Sequence, residues 1–224
     1  LSNPGKFHHF EVGKALYKKN QLKKIISGYP WFKLKHENIP KELVASHGFL
    51  RILQEPIISR PYFDKLNNFV NQLNAKNIDR VTCGHIKHID GAEVLIALSQ
   101  VGLNSGKKMI KNNKIYICER SSSHIVYQNN ILFNEYKEYT KKNFKIDSWF
   151  IERELEEYEN ADIILVPSNF VKKTFDKLNI NKVKVLNFGV NTQNFFKDLN
   201  IKKSSKYFDI LFIGQISLRK GLHY

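Results

Sequence analysis

Apolar spacing divides this chain into strands and helices, most clearly over residues 161–191 (ADIILVPSNFVKKTFDKLNINKVKVLNFGVN). Ile163–Val166 is a continuous apolar run, the pattern of a strand buried on both faces of a parallel sheet. Pro167 ends the run, and Ser168 stands where its hydroxyl can accept from a free N–H at the start of a helix. In that helix Phe170, Val171, Phe175 and Leu178 share one face, while Lys172, Lys173, Asp176 and Lys177 point elsewhere. Asn179, Ile180 and Asn181 break it, residues 183–186 (VKVL) form the next strand, and Phe188-Gly189-Val190 makes the exit. The whole is a βαβ unit of roughly 30 residues.

The remainder supports the same architecture. Residues 1–7 (LSNPGKF) predict a strand end and a glycine turn, followed by an amphipathic helix with Phe10 and Leu16 inward. Residues 24–27 predict a second strand, 28–39 a loop rich in aromatics, and 60–76 a helix carrying Phe63, Leu66, Phe69, Val70 and Leu73. Residues 79–85 (DRVTCGH) predict a short strand and 92–102 a helix with Val94, Leu95, Leu98 and Val101. A strand over 114–118, a helix over 125–142 and an acidic helix over 148–160 come next. The acidic helix is read as packed through Trp149, Ile151, Leu155 and Tyr158, with its glutamates mostly solvated. A polar segment over 192–206 is the best linker, and 208–213 (FDILFI) predicts a fresh strand ending at Gly214. The fold class is therefore α/β, a Rossmann-like doubly wound parallel sheet.

Composition narrows the function only a little. At 224 residues the chain has ample length for a core. The net charge of +15 would attract polyanions. However, 30 of the 36 basic residues are Lys and only six are Arg, and the Arg fork is the one suited to phosphate and base edges. The excess is read as solvating surface, and nucleic acid is not expected as a partner. Cys83 and Cys118, each in a strand-like segment, are expected to be free, buried and reduced. No ligand spacing suggests a metal. His8 and His9 are adjacent, and a metal pair on a helix needs i, i+4 spacing. No apolar run is long enough to span a membrane, and the N-terminus lacks a signal-peptide pattern.

Candidate chemistry gathers at predicted strand ends, where doubly wound sheets bind ligands. After the first strand, Gly5 and Lys6 offer a turn, a helix N-terminus and a cation to an anion; the plainer reading leaves Gly5 as a turn and Lys6 solvated. After the 114–118 strand comes the densest polar cluster, Glu119-Arg120-Ser121-Ser122-Ser123-His124. Its serines, Ser122 among them, can cap a helix or cradle phosphate and sugar oxygens. Arg120 suits a phosphate, and His124 a hydrogen-bond donor or base. The plainer reading makes the serines caps and pairs Arg120 with Glu119. Gly214 and the Arg219-Lys220-Gly221 turn combine close backbone approach with two cations.

Three passages resemble the group 1 (family 4) glycosyltransferases of the GT-B fold. ADIILVPSNFVKKTF is similar to that family's "AD-apolar-PS-x-F" strand and helix, VKVLNFGVN to its "YGVD" exit, and FDILFIGQISLRKGLHY to the opening of its second domain. The resemblance implies two Rossmann-like domains across a cleft. Residues 1–191 would be the acceptor-binding domain, 192–206 the linker, and 207–224 the start of the nucleotide-sugar-binding domain. It implies transfer from a nucleotide-sugar, with retention, without metal or other cofactor, to a glycan, lipid-linked or small-molecule acceptor. Lys220 matches the family's diphosphate-binding lysine beside Arg219, with Gly214 at the strand end. His124 stands where many members place a cleft histidine, and Gly5 matches the first-domain glycine loop, without its usual second glycine. Gln215 replaces a common Arg, and Asn191 a common Asp. The family's distal glutamates would follow Tyr224, so the chain is expected to be a fragment inactive alone. The resemblance also implies a cytoplasmic protein and is compatible with peripheral contact at the inner membrane face. The alternative is a non-catalytic domain binding a glycan or sugar phosphate.

Overall fold

The computed structural model describes residues 1–49, 52, 64–141, 143–176, 181–193, 195–197, 206–208 and 210–224. Seven strands, β1 (Ser2–Asn3), β2 (Ile25–Ser27), β3 (Val44–Ser46), β4 (Val94–Leu98), β5 (Ile115–Glu119), β6 (Ile163–Val166) and β7 (Val183–Val185), form one sheet. Their spatial order is β3-β2-β1-β4-β5-β6-β7, and every pairing is parallel. One row of partners crosses the sheet: Ala45, Ile26, Ser2, Ala97, Cys118, Ile164 and Val183. This is the doubly wound α/β architecture that the apolar runs predict.

Helices cover both faces. They are α1 (His9–Lys18), α2 (Trp31–Leu34), α3 (Asp64–Ile86), α4 (Leu103–Lys111), α5 (Ile125–Thr140), α6 (Ser148–Asn160) and α7 (Asn169–Asp176). Neighbouring residues of β2 feed opposite faces. Ile25 packs with Phe10 and Leu34, and Ile26 with Ile78 and Val101. The largest core cluster joins Met109, Tyr116, Cys118, Tyr158, Ile164 and Phe175.

The structure reverses two assignments. Residues 79–85 are not a strand but the last turns of α3. Ala75, Ile78 and Thr82 recur at helical spacing and are buried, and the Thr82 hydroxyl donates back to the Ile78 carbonyl (2.8 Å). Conversely, Val94–Leu98 is strand β4, and the helix starts only at Leu103. A central parallel strand is apolar without alternation, so a short run of this kind carries no period of its own. Cys83 therefore lies half-buried on α3, while Cys118 is buried on β5; both thiols are free.

The aromatic 28–39 segment contains α2. The strand expected over 208–213 is absent among the described residues there; Phe208, Ile210, Leu211 and Ile213 are exposed and pair with no sheet. Residues 60–63, Lys177 and Leu178, the break at 179–180 and most of the 192–206 linker lie outside the described residues. Among the described residues, no helix is long and apolar enough to cross a membrane.

Candidate functional site

The chain winds outward from β1 through β2 to β3, then returns to the other side of β1 at β4. The connections leaving β1 and β4 therefore diverge and open a crevice at the strand carboxyl ends. A cleft of about 620 Å³ lies there, lined by Gly5, Lys6, Phe7, Gln100, Arg120, Ser122 and Arg219 among others. Five of the nine site residues expected from the sequence, Gly5, Lys6, Arg120, Ser122 and Arg219, share this cleft.

The loop after β1 is held from both sides. The Asn3 side chain accepts from the Gly5 N–H (3.1 Å), and the Ser27 hydroxyl donates to the Gly5 carbonyl (2.6 Å). A Cβ on Gly5 would stand 3.0 Å from the Phe7 ring, tighter than an ordinary contact. Phe7 itself has φ +40°, a left-handed conformation that a bulky residue adopts only under constraint, and its ring is half exposed. Lys6 is not simply solvated, because its ammonium pairs with Glu37, which Lys14 also approaches (3.3 Å). Burial pushes the Glu37 carboxyl up, yet the two ammonium groups outweigh it and hold it below its ordinary value.

Arg120 is buried, and its partner is Glu154 rather than Glu119. Nη1 donates to Glu154 (2.9 Å), Nη2 to Gln128 (2.7 Å) and Nε to the Ser123 carbonyl (3.0 Å). Glu154 also accepts from Gln100 Nε2 (2.7 Å) and from the Tyr158 hydroxyl. The acidic helix keeps Glu152, Glu156 and Glu159 exposed, as expected, but Glu154 and Glu157 are fully buried, with Arg153 beside them. Arg153 pairs with Asp79 (2.6 Å), whose carboxylate also accepts the Asn104 and Ser105 N–H groups (both 2.9 Å) at the start of α4. Glu157 accepts from the Gln100 and Gly102 N–H groups (2.5 and 2.9 Å), and its burial raises its carboxyl to about 8 against the pull of Arg153. Two buried ion pairs on α6 therefore fix the β4 and β5 ends of the cleft.

His124 is brought elsewhere. It is fully buried at the N-cap of α5, where Nδ1 accepts from the Val126 N–H (3.2 Å). Its ring packs against Tyr158 and Phe175 (centroids 5.2 and 4.9 Å apart), and burial lowers its pKa to about 4, so it is neutral at ordinary pH. The cap is thus the histidine and not the serines, and the imidazole lies in the core instead of lining the cleft. Ser168 accepts from the Val171 N–H (3.2 Å), the capping role. Gly214 and Lys220 are exposed outside the cleft lining; Lys220 closes a 3₁₀ turn, Leu218–Lys220, before Gly221 at φ +70°. That turn rests on α5, where His223 and Tyr224 reach Glu135 (3.1 and 2.7 Å), and the anchoring delivers Arg219 to the cleft.

One cluster escapes sequence reasoning. His8 and His9, although adjacent, both turn to Glu119 at the end of β5. His8 is the N-cap residue and His9 the first helical residue, and their rings lie side by side (centroids 4.7 Å apart), so i, i+4 spacing is not required. Glu119 touches His8 Nε2, lies 3.3 Å from His9 Nε2, and all three ligand atoms fall within 4.8 Å of one another. Burial outweighs the Glu119 charge and lowers the pKa of His9 to about 4. No local sequence signal joins residues more than a hundred positions apart; only the strand order does. No protein-family model matches the chain, and no curated protein is significantly similar to it.

Proposed function

We propose that this chain belongs to a glycosyltransferase that moves a sugar from a nucleotide-sugar to a glycan, lipid-linked or small-molecule acceptor. The observation that carries the reading is the meeting of Gly5, Lys6, Ser122 and Arg219 at one switch-point cleft. These residues come from both ends and the middle of the sequence, and Gly5 and Arg219 are also positions that the family resemblance singles out. The step breaks the bond between the anomeric carbon and the diphosphate oxygen and forms one to an acceptor oxygen. Negative charge grows on the departing diphosphate, and Arg219 in the cleft, with Lys220 next to it, would stabilise that charge. Arg120 shapes the floor, since its donors already serve Glu154, Gln128 and Ser123.

The test is nucleotide release from a panel of sugar nucleotides in the presence of a broad acceptor panel, using the protein as its source makes it. Arg219→Ala, which removes the cation lining the cleft, should lower turnover by about 10²-fold or more. An unchanged rate removes the arginine from the reaction, and no release from any donor defeats the transferase reading. A second reading, a domain that binds a glycan or sugar phosphate without turnover, is favoured by the burial of His124 away from the cleft. Saturable sugar-phosphate binding with no nucleotide release would select it.

A further inference from the structure

We propose that His8, His9 and Glu119 form a binding site for a divalent transition-metal ion of the zinc class. Two imidazole nitrogens and one carboxylate are the donor set of three-ligand zinc sites that keep a further position for water or substrate. The ligand atoms are already gathered, since all three lie within 4.8 Å of one another and His9 Nε2 stands 3.3 Å from a Glu119 oxygen. Ligands about 2.0–2.2 Å from one ion sit at separations of that order.

The second observation is independent of this convergence. His9 is 1% exposed and Glu119 6% exposed. Nevertheless both ring nitrogens of His9 and one Glu119 oxygen lack a hydrogen-bond partner of acceptable geometry. A buried polar atom left without a partner is unfavourable, and an ion beside Glu119 would satisfy His9 Nε2 and the carboxylate oxygen together. That Glu119 oxygen closely approaches His8 Nε2, the third ligand atom.

Access is from the His8 side, where a quarter of the imidazole is exposed beside the Phe188 ring (centroids 4.3 Å apart). The ion's free position would face that opening. The α1 dipole opposes a cation at its N-terminus, so the donor set and the single carboxylate charge must supply the affinity. The inference does not rest on the transferase reading.

The experiment is titration of the chelator-stripped protein with Zn²⁺ by equilibrium dialysis, and with Co²⁺ followed by its visible absorption. One ion per chain is expected, removable by chelator. His8→Ala, chosen because His8 is the most exposed ligand and its side chain makes no capping hydrogen bond, should weaken binding at least about 10-fold. Glu119→Gln should weaken it further, with circular dichroism reporting whether the fold persists. The distant pair His47 and His85, with rings 6.3 Å apart, supplies the control, and His47→Ala should leave binding unchanged. No bound ion in the intact protein, or loss with His47→Ala and not with His8→Ala, overturns the proposal.

Discussion

Arg120 separates a structural strut from a ligand hook, and its removal gives a number that decides between them. In Arg120→Ala the Glu154 carboxylate stays fully buried but loses its charged partner at 2.9 Å. Breaking one side of a buried ion pair costs about 3–5 kcal/mol. Glu154 retains donors from Gln100 and Tyr158, which places the loss near the lower end, at about 3 kcal/mol. With a urea dependence of about 2 kcal/mol per molar, the unfolding midpoint should fall by about 1.5 M. Arg120→Met combined with Glu154→Gln removes the stranded charge while an amide still meets Tyr158. The double variant should recover at least about 1 kcal/mol as a coupling energy. If Arg120→Ala shifts the midpoint by less than about 0.3 M, the guanidinium is not committed to Glu154 and is free for a ligand.

Gly106→Ala should destabilise by about 1–3 kcal/mol, because its Cβ would lie 2.4 Å from the fully buried Tyr116 ring. Helix propensity alone favours alanine by about 1 kcal/mol, so a rise in the urea midpoint would refute that packing. His124 is held at about 4 in the folded state against an ordinary 6.5. The unfolded chain therefore binds the extra proton, and stability should be full above pH 6.5 and fall between 6.5 and 4. That loss is on the order of 2 kcal/mol after allowance for screening. His124→Asn, which can still cap α5, should reduce the slope of that part of the pH–midpoint curve, His9 supplying what remains, and an unchanged slope would sink the assignment.

What the sequence disclosed follows from which interactions are local. The β6–α7–β7 unit was legible because its apolar run, its proline stop and its serine cap all lie within about 30 residues, and the structure keeps each in place. The exchange of strand and helix between residues 79 and 98 has the opposite origin. Val81, Thr82 and Cys83 favour a strand by type, but Ile78 and Thr82 are buried together on α3, and Thr82 is satisfied by Ser2 of β1 (2.8 Å). That partner is 80 positions away.

The same distinction explains the site. Gly5, Lys6, Arg120, Ser122 and Arg219 could be selected because glycines and cations at strand ends mark phosphate-sized crevices in any doubly wound sheet. Their roles could not be selected. Whether Arg120 faces a ligand or Glu154 depends on where α6 lies, and that helix is seated by Asp79, Arg153 and Glu157 through contacts spanning 53 to 74 residues. Burial then drew Glu154 and Glu157 away from the exposed glutamates of α6 into the frame beneath the cleft, and drew His124 into the core among Tyr158 and Phe175. Charged residues on a helix are read as solvent-facing because an unpaired charge is costly to bury. Here each acid found a cation or an N–H from another element, and the pairing is what permitted the burial.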